Sequence, residues 1–132
     1  MGFRVAHADG LEWVNRPGVD DTPDRRFADL TTAAALERAR ARVWRFPAGA
    51  KGRRHAEGGQ EEVFFVLQGA LTVALGEPAE WHRVERGGVV CVDPGTPLQL
   101  FNREAGELEL LIWGAPPVTD AATYHAGLEP PA

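Results

Sequence analysis

At 132 residues the chain is long enough for one hydrophobic core, and its 44% apolar and 25% charged residues are ordinary for a soluble globular domain. A net charge of −5 argues against nucleic acid or an anionic membrane as the main partner. No apolar run approaches the ~20 residues of a membrane span, the N-terminus lacks a signal-peptide core, and the single cysteine, Cys91, has no partner for an internal disulfide. A cytoplasmic location is expected.

Phe3 to Val14 alternates weakly around Asp9-Gly10 and reads as a hairpin or edge strand. Asn15 to Arg26, with Pro17-Gly18, three Asp and Pro23, reads as a polar surface loop, of a kind that can also cover one mouth of a small barrel. Asp29-Leu30-Thr31-Thr32 and the AAALERA that follows predict a short helical turn near residues 31–38 with a hydroxyl or carboxylate cap. Arg40 to Phe46 (RARVWRF) alternates strictly and stops at Pro47, which makes it a strand.

The stretch from Pro47 to Gly69 organises the rest. His55 and Glu57 are two apart, so an extended backbone projects them to one face. Gly58-Gly59 lets the chain reverse into a hairpin, and Glu62, Phe64 and Val66 share one face of the strand that follows. In the right register His55, Glu57 and Glu62 converge.

Beyond Gly69, Ala70 to Leu75 is a strand, Gly76-Glu77-Pro78 turns the chain, and Trp81 to Val84 returns it as one hairpin. Val89 to Val92 reads as a buried strand with Cys91 as a small buried apolar residue, and Asp93 to Pro97 as a sharp turn. Leu98, Leu100 and Asn102 then lie on one face, with Gln99 and Phe101 on the other. Glu107 to Trp113 is a final strong strand. From Pro116 to Ala132 the composition is Pro/Ala-rich, so that tail is either loose or laid over the domain or a partner. Short strands with regular turn signals predict an all-β sandwich or barrel.

The spacing of these residues resembles the cupin family. The first cupin motif is Gly, five residues, His, one residue, His, three or four residues, Glu, six residues, Gly. Here Gly49, His55, Glu62 and Gly69 occupy it, with Glu57 where the second His is expected. The second motif is Gly, five residues, Pro, one residue, Gly, two residues, His, three residues, Asn. Here it holds Gly87, Gly95 and Asn102, with Asp93 in place of Pro and Leu98 in place of His. The resemblance implies a small double-stranded β-helix (jelly-roll) barrel over about residues 39–113, inside a single domain with an N-terminal strand and loop at 1–38 and a tail at 116–132. It also implies a homodimer.

A cupin metal site offers three imidazoles and a carboxylate; this chain offers His55, Glu57 and Glu62. Three such ligands can hold a divalent metal with water completing the shell, and a carboxylate-rich set suits Mn, Mg or Fe(II), with Ni or Zn as further candidates. Two other readings stay open. The three residues can be a satisfied hydrogen-bond cluster neutralised by Arg53 and Arg54. Alternatively, two glutamates forced together in an apolar barrel keep one proton near neutrality and, with His55, form a catalytic proton-transfer set of the kind an isomerase, epimerase or cyclase uses. The metal reading leads to an oxygenase or lyase, and a non-catalytic sensor remains the third class. The expected ligand is a small, partly apolar organic molecule, with Gln60, Phe64, Leu98, Leu100 and Asn102 around it. His7, His82 and His125 have no partner at useful spacing and read as surface residues.

Overall fold

The structure is a computed structural model that describes residues 2–118 and 121–132. Met1, and Thr119 and Asp120 within the predicted tail, lie outside the described residues. Two antiparallel sheets face each other. The strands are β1 (Trp13–Arg16), β2 (Arg25–Asp29), β3 (Arg40–Phe46), β4 (His55–Ala56), β5 (Glu61–Gln68), β6 (Ala70–Leu75), β7 (Glu80–Glu85), β8 (Val89–Val92), β9 (Leu98–Phe101), β10 (Leu108–Ala115) and β11 (Thr123–Tyr124). One sheet runs β1-β2-β3-β10-β5-β8 and the other β11-β4-β9-β6-β7. This is the all-β architecture that the turn spacing predicts, in the double-stranded barrel form that the family resemblance implies.

Period-2 patterning explains which face goes inward. On β5, Glu62, Phe64 and Val66 are buried while Glu61, Phe65 and Leu67 are exposed. Phe64 and Val66 meet Leu71 and Val73 of the opposite sheet and Leu108 and Leu110 in the core. Each such side chain contributes on the order of 2 kcal/mol by leaving water.

Gly69 passes the chain from one sheet to the other. Its φ of +79° is left-handed, and an added Cβ would lie 2.7 Å from the Glu107 carbonyl oxygen, so only glycine fits. The helical turn is real but shorter than predicted: α1 covers Leu30–Ala33, capped by the Asp29 carboxylate, which accepts from the Thr31 N–H at 2.9 Å.

Several local expectations change. The N-terminal hairpin is not folded at Asp9-Gly10, where a short 3-10 turn sits at Ala8–Gly10. Instead β1 pairs with β2, so Asn15, Arg16, Arg25 and Arg26 are strand residues, and only the segment between them is loop. Their polar side chains hide the strands, because the stretch lacks the apolar alternation that marks one. Nor is the Gly58-Gly59 segment a hairpin turn. β4 pairs with β9 and β11, whereas β5 pairs with β10 and β8, so the glycines carry the chain between sheets. Val89 to Val92 is buried on one face alone: Val90 and Val92 point inward, and Val89 and Cys91 are exposed. The tail is laid over the barrel, through β11 on β4, the Leu128 N–H donated to Gln99 Oε1, and Arg103 donating to the Pro131 carbonyl.

Candidate functional site

His55 and Glu57 are presented by the strand between β9 and β11, where His55 lies opposite Leu98 on one side and Tyr124 on the other. The Glu57 carbonyl accepts from the Gly95 N–H, which fixes the end of that segment. Glu62 approaches from β5 in the facing sheet. One ligand atom from each of the three residues lies within 4.8 Å of the others. The convergence read from the sequence is therefore achieved, although across two sheets and not within one hairpin.

The hydrogen bonding of this cluster is one-sided. His55 Nδ1 lies 3.0 Å from the Arg53 carbonyl, which only accepts, so Nδ1 carries the proton and donates it. Its Nε2 lies 3.8 Å from Glu57 Oε1. Glu62 Oε1 is buried with no hydrogen-bond partner. Burial first, and the Glu57 charge second, push the Glu62 carboxyl up to about 7, against smaller lowering effects of Arg40 and the Gln60 amide. Two carboxylates and a ring nitrogen thus converge, and the proton that Glu62 keeps up to about 7 relieves the crowding of their charges. A divalent ion with bonds of about 2.1 Å spans donors up to about 4.2 Å apart, so the His55–Glu57 separation of 3.8 Å suits one, and the Glu62 ligand atom lies within 4.8 Å of both. The residues fit such an ion.

The cluster sits in a cavity of about 380 Å³. Trp44, Phe46, Phe64, Leu100 and Ile112 give it an apolar wall, and Gln60 lines it too. Gln60 is buried flat against Gly114, where an added Cβ would come 2.5 Å from its Nε2.

Two expected pocket residues are elsewhere. Leu98 is buried in the core and Asn102 is consumed by the backbone, and neither lines the cavity. Asn102 Nδ2 donates to the Phe46 and Gly106 carbonyls at 2.9 and 2.8 Å, and its Oδ1 accepts from the Glu104 N–H at 3.0 Å. Asn102→Ala should cost about 2–3 kcal/mol in urea unfolding, because it strands buried backbone groups, and should leave ligand and metal binding intact.

Among the described residues neither expected neutralising arginine forms an ion pair with Glu57 or Glu62, although Arg53 lines the cavity. Arg54 pairs with Glu77 at 2.6 Å, and the Arg53 guanidinium lies 3.6 Å over the Tyr124 ring. What the sequence reading missed is the opposite wall, where Arg16, Arg25, Arg40 and Arg42 line the same cavity. A signal existed: on RARVWRF the arginines 40 and 42 share parity with Trp44 and Phe46, so a buried Phe46 brings them inside.

The family model described as "Cupin domain" matches residues 42–114. Among solved structures, a sugar phosphate isomerase of the cupin superfamily from Silicibacter pomeroyi is 24% identical, with a TM-score of 0.72 over 85% of this chain and 75% of that one. KdgF from Halomonas sp. is 19% identical, with a TM-score of 0.71 over 86% and 93%. The polyketide cyclase RemF from Streptomyces resistomycificus is 15% identical, with a TM-score of 0.77 over 96% and 87%. No curated protein sequence matches the chain.

Proposed function

The chain belongs to the cupin family, and from that premise we propose that its barrel mouth binds a small, partly apolar organic ligand whose polar end meets a divalent cation held by His55, Glu57 and Glu62. The observation that carries this reading is the convergence of one ligand atom each from His55, Glu57 and Glu62, with Glu62 Oε1 buried and unpartnered. A bound ion would supply Lewis-acid polarisation of a carbonyl or hydroxyl oxygen. The chain's own residues do the rest. Arg53 fixes the His55 tautomer through its carbonyl, Gln60 packs beside Glu62, and the Trp44–Phe64–Leu100 wall strips water from the apolar part of the ligand.

Elemental analysis of untagged protein, dialysed without chelator, tests the proposal. The expected result is a near-stoichiometric divalent transition metal in the wild type and none in Glu57→Ala. A clean absence that persists after incubation with Mn, Fe(II), Ni and Zn contradicts it.

A second reading is favoured by the burial of Glu62 beside Glu57. With its carboxyl titrating at about 7, Glu62 holds a proton for part of the time at neutral pH while Glu57 is an acceptor, which makes a donor–acceptor pair for moving a proton on the ligand. Relatives named as a sugar phosphate isomerase and a polyketide cyclase accord with chemistry on small organic molecules in such a barrel. Proton exchange at an acidic C–H of a screened ligand, followed by NMR in deuterated water, separates this reading from simple binding. Exchange that is lost in Glu57→Gln supports it, and exchange that is unaffected by that change counts against it.

A further inference from the structure

We propose that Arg16, Arg25 and Arg42 form an oxyanion subsite that holds a carboxylate or phosphate group of the ligand. The inference rests on reading the cavity as a ligand site and adds the chemical class of what enters it.

The argument begins with strand register. β1, β2 and β3 place Arg16 directly opposite Arg25, Phe27 opposite Trp44, and Asp29 opposite Arg42, all on the face that lines the cavity. Like charges directly opposite in a sheet are destabilising, and more so when water is excluded. Of the acids that line the cavity, Glu57 and Glu62 belong to the cluster with His55, and Asp29, opposite Arg42, already accepts from the Thr31 N–H and the Thr32 hydroxyl. Among the described residues, no carboxylate oxygen lies within 4.0 Å of the guanidinium nitrogens of Arg16, Arg25, Arg40 or Arg42. The buried Nε atoms of Arg25 and Arg40 have no acceptor at all. Burial and the Arg16 charge accordingly make protonated Arg25 less favourable than usual.

The guanidinium groups are nonetheless held in place. Those of Arg16 and Arg42 lie 5.2 and 4.2 Å over the Phe27 ring, and that of Arg25 lies 5.1 Å over Trp44 and 5.4 Å over Phe46. Phe27 and Trp44 are themselves in contact, with centroids 4.9 Å apart. Three cations are thus seated on one continuous aromatic floor, facing a cavity, in a chain whose net charge is −5. Planar forks of this kind match the paired oxygens of carboxylate and phosphate. The cavity, at about 380 Å³, admits the anionic end of a small molecule.

Trp44 lies under Arg25 and gives the readout. Inorganic phosphate and malonate are titrated separately into the full chain at constant ionic strength, with sodium chloride as reference, while tryptophan emission and melting temperature are followed. The expected result is a saturable response that weakens about tenfold or more in Arg25→Gln and in Arg42→Gln, with the anion raising the melting temperature of the wild type but of neither variant. Arg83→Gln, at a surface pair with Glu85 and Glu104, should behave as wild type. Saturation by phosphate alone assigns a phosphate ester, and saturation by malonate assigns a carboxylate. A response no different from chloride, or equal affinity in the wild type and both variants, overturns the proposal. Metal content measured on the same samples separates the two readings. Phosphate binding without metal contradicts the cation cluster alone, and metal without anion binding contradicts this subsite alone.

Discussion

Glu62→Gln is expected to stabilise the metal-free protein above neutral pH by on the order of 3 kcal/mol and to leave it unchanged in acid. The sign follows from the two protonation states. In the folded barrel Glu62 keeps its proton up to about 7, whereas in the unfolded chain it loses it near the ordinary value of 4.5. Between those values the folded state binds more protons, so stability falls as pH rises through that window and the loss is complete above about 7. Glutamine has nearly the same shape and cannot ionise, so the difference between variant and wild type should open across that window and then stay flat. Urea unfolding of chelator-treated protein at a series of pH values measures it. Parallel curves for the two proteins would show that Glu62 ionises in the barrel as freely as in the unfolded chain.

The same proton makes cation binding pH-dependent. An ion needs the Glu62 carboxylate, so below about 7 it must displace the proton, and its affinity should fall about tenfold per pH unit. Above that value the affinity should level off. Loss of Glu62 as a ligand, in Glu62→Gln, should weaken binding by more than about a hundredfold, since even the outer partners of a metal ligand are worth about 10–100-fold. Calorimetric titration with Mn(II) in buffers of different ionisation enthalpy reads both the affinity and the released proton. Affinity that is flat from mild acid to mild alkali, with no proton released, would place the ion elsewhere.

Most of the barrel was legible because its signals are local. Gly69 marks a left-handed crossing, RARVWRF and EEVFFVLQ alternate, and Asp29 caps the helical turn. The trio His55, Glu57 and Glu62 was legible from spacing, although the path that joins it was not. Sequence cannot tell a Gly-Gly hairpin from a Gly-Gly crossover, since both need the same backbone freedom and differ only in which strands pair. The arginine wall was missed for a related reason. Arg16 and Arg25 sit in a stretch whose polarity argued for loop, and only the register of β1 on β2 turns them toward the cavity. Leu98 and Asn102 illustrate the converse. Their motif positions are filled by residues whose side chains serve the core and the backbone.

The most direct test of the cation cluster is anomalous diffraction from crystals soaked in Mn(II) or Zn(II). A single strong peak at bonding distance, about 2.1 Å, from His55 Nε2 and from oxygens of both Glu57 and Glu62 is the predicted result. A peak confined to surface groups such as His82 and Glu80, or no peak in the barrel mouth, would contradict it.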